Sequence, residues 1–344
     1  MGESQGRIVT GLIRVAPHRG DHRVALRVAV SLAVPLLTLW ALGRTDLSVY
    51  ASFGAFASLY GRFDAYADRV RMQAAAGATM VGAMLLGTLL SLAETPVVLR
   101  VAVVAVLAAL GALAAHAWQW HPPGALFVVF AAGACASLPA DLASLLHVVA
   151  IGGGAALFSV AVTVVVAVAR RGDLRRRAQR TRMPVGREAV SMALTVGMGS
   201  GLAGVAGLLL VGDHWYWAMV AAVAALGGAQ LTARIIRGLQ RLAGTLIGIL
   251  IAAGLLALHL PPLATIAVAV LLQAGAELYV NRNYGIAMVF VTPLALLMVE
   301  LAAPVDPAVL LSDRTLDTVI GVAVGTAVAV VSAWVRSRPS RAAR

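Results

Sequence analysis

The chain has 344 residues, of which 60% are hydrophobic and 12% charged, and its mean hydropathy is +0.89. A soluble domain is about 45–50% apolar and about 25% charged, so this excess does not fit inside one soluble core and the chain reads as an integral membrane protein. The single cysteine, Cys135, excludes a disulfide framework or a cysteine-cluster metal site.

No long polar stretch leaves room for a large soluble domain; the longest is 170–187. Met1–Arg23 has no apolar core followed by a small-residue cleavage site, so no signal peptide is expected. The formal charge is +12, and all 27 basic residues are arginine.

A helix needs about 20 apolar residues to cross a hydrocarbon core of about 30 Å. In chain order the apolar segments are 24–42, 47–60, 72–93, 97–117, 122–138, 144–169, 188–211, 214–229, 238–258, 262–279, 284–302 and 315–335. The expected fold is therefore all-α with twelve membrane spans. With the N-terminus inside, 24 arginines fall in inner loops and tails, and three (Arg44, Arg100 and Arg314) fall outside. Positive loops stay cytoplasmic, so both termini are expected inside. The charge is then a topology signal, which argues against a nucleic-acid partner; the arginine-rich linker also suits anionic lipid headgroups.

The two halves are alike. A shift of 166 residues puts Tyr50 on Tyr216, Gly61 on Gly227, Arg71 on Arg237, Thr79 on Thr245 and Gly82 on Gly248. A shift of 161 then puts Gly124 on Gly285, His121 on Arg282 and His116 on Glu277. Six spans per half make the repeats parallel, related by a pseudo-two-fold axis along the membrane normal, with a pathway at their interface. The organisation expected is an N-terminal segment 1–23, a first repeat 24–169, a linker 170–187, a second repeat 188–335 and a basic tail 336–344. The second and eighth spans are short, about 21–24 Å at about 1.5 Å per residue. Matched short segments point to a transport site, although a locally thinned bilayer accounts for them equally well.

Several motifs then converge. His214-Trp215-Tyr216-Trp217 is followed by Arg234, Arg237 and Arg241 and by Gly244-Thr245-Leu246-Ile247-Gly248. Glu277-Leu278-Tyr279-Val280-Asn281-Arg282-Asn283-Tyr284 leads to Phe290-Val291-Thr292-Pro293, and Asp313-Arg314 leads to Asp317-Thr318 and Gly321. In these motifs the second half resembles the fusaric acid resistance protein-like membrane proteins, also called the aromatic acid exporter family. The first half carries the pattern weakly, in Ala78-Thr79-Met80-Val81-Gly82. The resemblance implies a bacterial inner-membrane exporter of aromatic carboxylates and related organic acids. A more distant likeness is to the plant malate channels. Longer relatives carry a cytoplasmic domain between the halves, where this chain has only the linker.

An anion crossing a low-dielectric path needs positive charge, and the planar guanidinium fork matches a carboxylate. Arg71, Arg237, Arg241, Arg282 and Arg314 are the candidates; the plain alternative for all but Arg314 is a snorkelling anchor. Tyr50, Trp215, Tyr216 and Trp217 could stack on an aromatic substrate, or form an interfacial belt. Glu277, His116 and Asp317 are the candidates for proton coupling, because an ionisable group at membrane depth faces a partner or a cavity. Interfacial or structural ion pairs are the alternative for each. Glycine pairs 197/201, 244/248 and 321/325 have the spacing of close helix packing.

Asp64/Asp68 and Asp313/Asp317 resemble the D-x-x-x-D pattern of membrane prenyltransferases. The arginine count puts them on opposite sides, so they cannot share a metal. With no Walker, H-E-x-x-H or nucleophile motif either, an enzyme is not expected, and neither is a cofactor or metal. The function expected is transport of organic anions, powered by the proton gradient. A passive anion channel and a non-transport scaffold for envelope assembly are the alternatives. The expected partners are the lipid bilayer and a small organic anion, and homo-oligomerisation stays open.

Overall fold

The computed structural model describes residues 9–18, 20–174, 182–228 and 230–337. The middle of the linker 170–187, part of the segment 1–23 and most of the tail 336–344 lie outside the described residues. Among those described there is no strand. After a helical stretch at 9–13, the helices in order are α1 (Asp21–Ala41), α2 (Ser48–Ala55), α3 (Tyr66–Leu92), α4 (Val97–Ala117), α5 (Leu126–Ser137) and α6 (Leu142–Ala169). They continue as α7 (Arg187–Leu210), α8 (Tyr216–Ala225), α9 (Leu231–Ala257), α10 (Pro262–Tyr279), α11 (Tyr284–Ala302) and α12 (Pro307–Ser337).

Polar and proline residues set the boundaries. Pro262 opens α10, where its missing N–H costs nothing. Asp141 and Ser144 form a reciprocal capping box at the start of α6, and the Asn283 side chain accepts from the Ile286 N–H at the start of α11. A π-helical turn at Val148–Gly152 interrupts α6.

Nine of these helices are long and apolar enough to cross a membrane, so the chain is a multi-pass membrane protein associated with a lipid bilayer. The other three, α2, α5 and α8, have 8, 12 and 10 residues. At about 1.5 Å per residue, none of these alone matches a hydrocarbon core of about 30 Å. The segments 47–60 and 214–229, expected as short spans, and the segment 122–138 therefore hold three short inner helices. Burial supplies the reason. Every residue of α8 and seven of the eight in α2 are buried, so their apolar character answers to neighbouring helices and not to lipid. α2 runs on as a 3-10 turn through Phe56–Leu59 and stops at Gly61, whose φ of 69° and approach to Arg69 leave no room for a Cβ.

The packing follows a regular scheme. Helix α3 packs on α5, and α9 on α11; α2 packs on α6, and α8 on α12. Between the halves, α4 packs on α7, α10 on α1, α5 on α8 and α11 on α2. The three glycine pairs all lie at such contacts: 197/201 against Ala105 and Ala109 of α4, 244/248 against α11, and 321/325 against α8. Small residues let the backbones approach where no water drives association.

One consequence is testable on a pair that the shift of 166 makes equivalent. A Cβ at Gly248 would lie 2.7 Å from Thr292 Cβ, whereas one at Gly82 meets nothing within 4 Å. Gly248→Leu is expected to lower the unfolding midpoint in detergent and the yield of monodisperse protein. Gly82→Leu is expected to leave both near wild type. Equal behaviour of the two would refute the α9–α11 contact.

Candidate functional site

Two ends of the bundle can be told apart by their contacts. At one, here the linker face, Met183 N donates to Ala117 O at 3.1 Å, Gly61 N to His121 O at 3.0 Å and Ala16 N to Arg282 O at 3.0 Å. At the other, the far face, Ser91 Oγ donates to Leu138 O at 2.6 Å, and His214 Nδ1 lies 2.7 Å from Asp313 Oδ2.

Between them runs a cavity of about 410 Å³, within the range of small-molecule sites. The short helices α2, α5 and α8 line it, with α9, α10 and α11 opposite. It reaches from Arg62, His121 and Asn281 near the linker face to Leu138, His214 and Val305 near the far face.

Its wall is largely apolar and aromatic. Phe53 meets Phe130 edge-on at 5.0 Å, Phe56 lies 5.2 Å from Phe127, and Phe130 stacks on Tyr216 at 6.1 Å between ring centres. Such edge-on and offset arrangements suit a further ring.

Against this wall stand three arginines from two helices, Arg237 and Arg241 of α9 and Arg314 of α12. Tyr284 organises the first two. The Arg237 guanidinium lies 4.1 Å from its ring centre, and Arg241 Nη1 donates to its hydroxyl at 2.9 Å. Arg314 stacks over Trp217 at 5.1 Å and is close enough to Arg241 for the two to repel. Arg241 is ten residues into α9 and Arg314 seven into α12, or about 15 and 10 Å along helices that run from opposite faces. Both are only 2% exposed.

Among the described residues, Arg237 Nε, Arg241 Nε and Arg314 Nε and Nη1 are buried donors without a hydrogen-bond partner. Buried polar groups are normally paired, and a guanidinium can only donate.

A second buried cluster lies at the linker-face end. Arg62 Nη2 pairs with Glu277 Oε2, and Arg62 Nη1 donates to the Glu277 carbonyl at 3.0 Å and lies 3.4 Å from Asp21 Oδ1. With the Asn281 amide oxygen facing it, Arg62 also donates there at 3.1 and 3.2 Å. Gln273 Nε2 donates to Glu277 Oε1 at 3.1 Å. These contacts tie the loop after α2 to α10, and so one half of the chain to the other.

The sequence candidates separate accordingly. Arg237, Arg241, Arg314, Tyr216 and Glu277 line the cavity; Trp217 and Asp317 lie behind Arg314, fully buried. Arg71 is exposed on α3, unlike its shifted counterpart Arg237. Arg282 bonds the Ala16 carbonyl at 2.9 Å and stacks on Tyr279. Tyr50 and Trp215 are buried without lining the cavity.

His116 and Glu277 are not brought together: Glu277 meets Arg62, while His116 is half-buried at the end of α4. Arg314 and Asp317, one helical turn apart, form no ion pair within 4 Å. Sequence reasoning missed Tyr284 and the role of Arg62. The signal for Arg62 was its place directly after a short broken helix; Tyr284 carried none beyond its motif.

Fold and cavity together define a multi-pass, all-helical membrane protein with a buried, cationic, aromatic-walled chamber between its halves. Residues 202–328, from within α7 into α12, match the family model described as fusaric acid resistance protein-like, and this match bears out the resemblance read from the motifs. No curated protein and no solved structure matches the chain.

Proposed function

We propose that the chain is a transporter of organic anions in a bacterial inner membrane, with both termini cytoplasmic, and that the cavity is its path. The two halves act as a parallel repeat around an axis along the membrane normal. In support, the contacts of α1–α6 recur in α7–α12, and the contacts between halves come in matched pairs, α4–α7 with α10–α1 and α5–α8 with α11–α2. The linker face is then the cytoplasmic one, as the arginine distribution requires.

One observation carries the functional reading: Arg237, Arg241 and Arg314, each with an unpaired guanidinium donor, line an aromatic chamber. A guanidinium binds a carboxylate or sulfonate through charge-assisted bonds, which are about twice as strong as neutral ones, while the phenylalanines hold an apolar body. The substrate class is therefore an amphipathic, aromatic organic acid. The Arg62–Glu277 pair across the halves favours a gated path over an open channel.

The test uses the full chain in detergent. Benzoate is expected to raise the unfolding midpoint with increasing concentration, since a ligand at about 100 times its Kd stabilises by about 2.7 kcal/mol. Benzamide, neutral and of the same shape, is expected to do much less. Equal stabilisation by both, or none by benzoate or 1-naphthoate, overturns the reading.

A further inference from the structure

Behind the arginine cluster lies a carboxylate that anion recognition does not use. Asp317 is 0% exposed, and among the described residues neither of its oxygens has a hydrogen-bond partner. It sits where α12 crosses α7, and Gly207 makes the room: a Cβ there would lie 2.8 Å from Asp317 Oδ1 and 3.0 Å from Ala218 Cβ.

The charged and titratable groups around it can be named from each neighbouring helix. Its own helix supplies Arg314, one turn away, and Asp313, which is held by His214 near the far face. The α8 side supplies Tyr216, while Trp217, Arg241 of α9 and Tyr284 of α11 are grouped around Arg314. Helix α7 supplies no ionisable residue between 189 and 210.

We propose that Asp317 is a proton-binding site linked to the anion site, so that anion and proton bind together. The reading rests on the anion site described above. Asp317 lies one turn from Arg314 on α12, and its carboxylate, when ionised, offsets that guanidinium through space. An anion on the orphaned Nε and Nη1 of Arg314 takes over that role. Two negative charges then share one guanidinium in a medium where Coulomb energies are several-fold larger than in water. Asp317 relieves the repulsion by taking one proton from bulk water onto a carboxylate oxygen.

Linkage is reciprocal, so acid must tighten anion binding by the same factor. The sign matters for energy supply. A proton that accompanies the anion cannot drive its exit by flowing inward, so under this proposal the acid as a whole moves along its own gradient.

Benzenesulfonate is the probe, because its charge is fixed and any pH dependence belongs to the protein. For the full chain in detergent, affinity is expected to tighten as pH falls, by up to about tenfold per unit over the range in which Asp317 takes up its proton. Calorimetry in two buffers of different ionisation enthalpy is expected to count up to one proton taken up per anion. Asp317→Asn is expected to bind without pH dependence or proton uptake.

Proton release, a pH-independent wild type, or a dependence that survives Asp317→Asn overturns the proposal while leaving the anion site standing. If Asp317→Asn does not fold, the wild-type proton count decides alone. Absence of benzenesulfonate binding at every pH sinks the anion site itself and the linkage with it.

Discussion

Replacing Arg314 with glutamine is expected to weaken benzoate binding by about a hundredfold or more. Hydrogen bonds to charged groups are worth about 1.5–3 kcal/mol each, and about 1.4 kcal/mol is tenfold in affinity. Arg314 lines the chamber, and two of its donors, Nε and Nη1, have no hydrogen-bond partner. The substitution also leaves Asp317 without its counter-charge, so stability falls for a reason unrelated to binding. Arg314→Gln combined with Asp317→Asn separates the two effects, being expected to regain thermal stability while binding stays lost. Arg71→Gln, on an exposed part of α3, is the control and is expected to bind benzoate as wild type does. Titration calorimetry with benzoate and the detergent unfolding midpoint read both quantities. Recovery of binding in the double variant would remove Arg314 from the site.

The second large effect concerns the Arg62–Glu277 pair at the linker-face end. Arg62 and Glu277 have side chains only 7% exposed. Removing one partner of a buried pair costs about 3–5 kcal/mol, whereas replacing both with apolar residues is often close to neutral. Arg62→Met and Glu277→Leu are each expected to lower the unfolding midpoint sharply, and the double variant to sit well above either. Because the pair bridges the halves, all three variants are expected to leak benzoate faster from loaded proteoliposomes. Additive losses in the double variant would show that the two side chains are not coupled. An unchanged leak rate would show that the pair is structural and not a gate.

Much of the scaffold could be read directly from the residues. The apolar segments expected at 97–117, 262–279 and 284–302 coincide with α4, α10 and α11. Proline at 96 and 262 and the Asn283 cap mark their starts by local chemistry that needs no partner. The expected segments 47–60 and 214–229 fared differently. Their apolar runs were visible, but glycines at 61, 227 and 228 and burial by neighbours shorten the helices inside them. Hydropathy counts apolar residues without distinguishing lipid from protein as their surroundings, so it overestimates the length of helices wrapped by other helices.

The arginines show the same division more sharply. Counting them by loop separates one side of the membrane from the other, because that rule depends on charge alone. It cannot rank Arg71 against Arg237, which occupy equivalent places in the two halves; one is exposed and the other stacks on Tyr284 in the chamber. Nor does spacing supply a partner for Glu277. Symmetry pointed to His116, and packing delivered Arg62.

The sequence by itself determined that this is a multi-pass helical membrane protein, where most of its helices run, and that the second half carries fusaric acid resistance protein-like motifs. Those properties follow from composition and local pattern, which each segment holds on its own. Only the tertiary structure decided which charges meet. Residues tens to hundreds of positions apart, such as Arg62 with Glu277 or Arg241 with Tyr284, come within hydrogen-bonding distance through helix contacts fixed by glycine and alanine surfaces. Buried charge is stabilised or left wanting a ligand by what lies within a few ångströms in space, a distance that order along the chain does not measure.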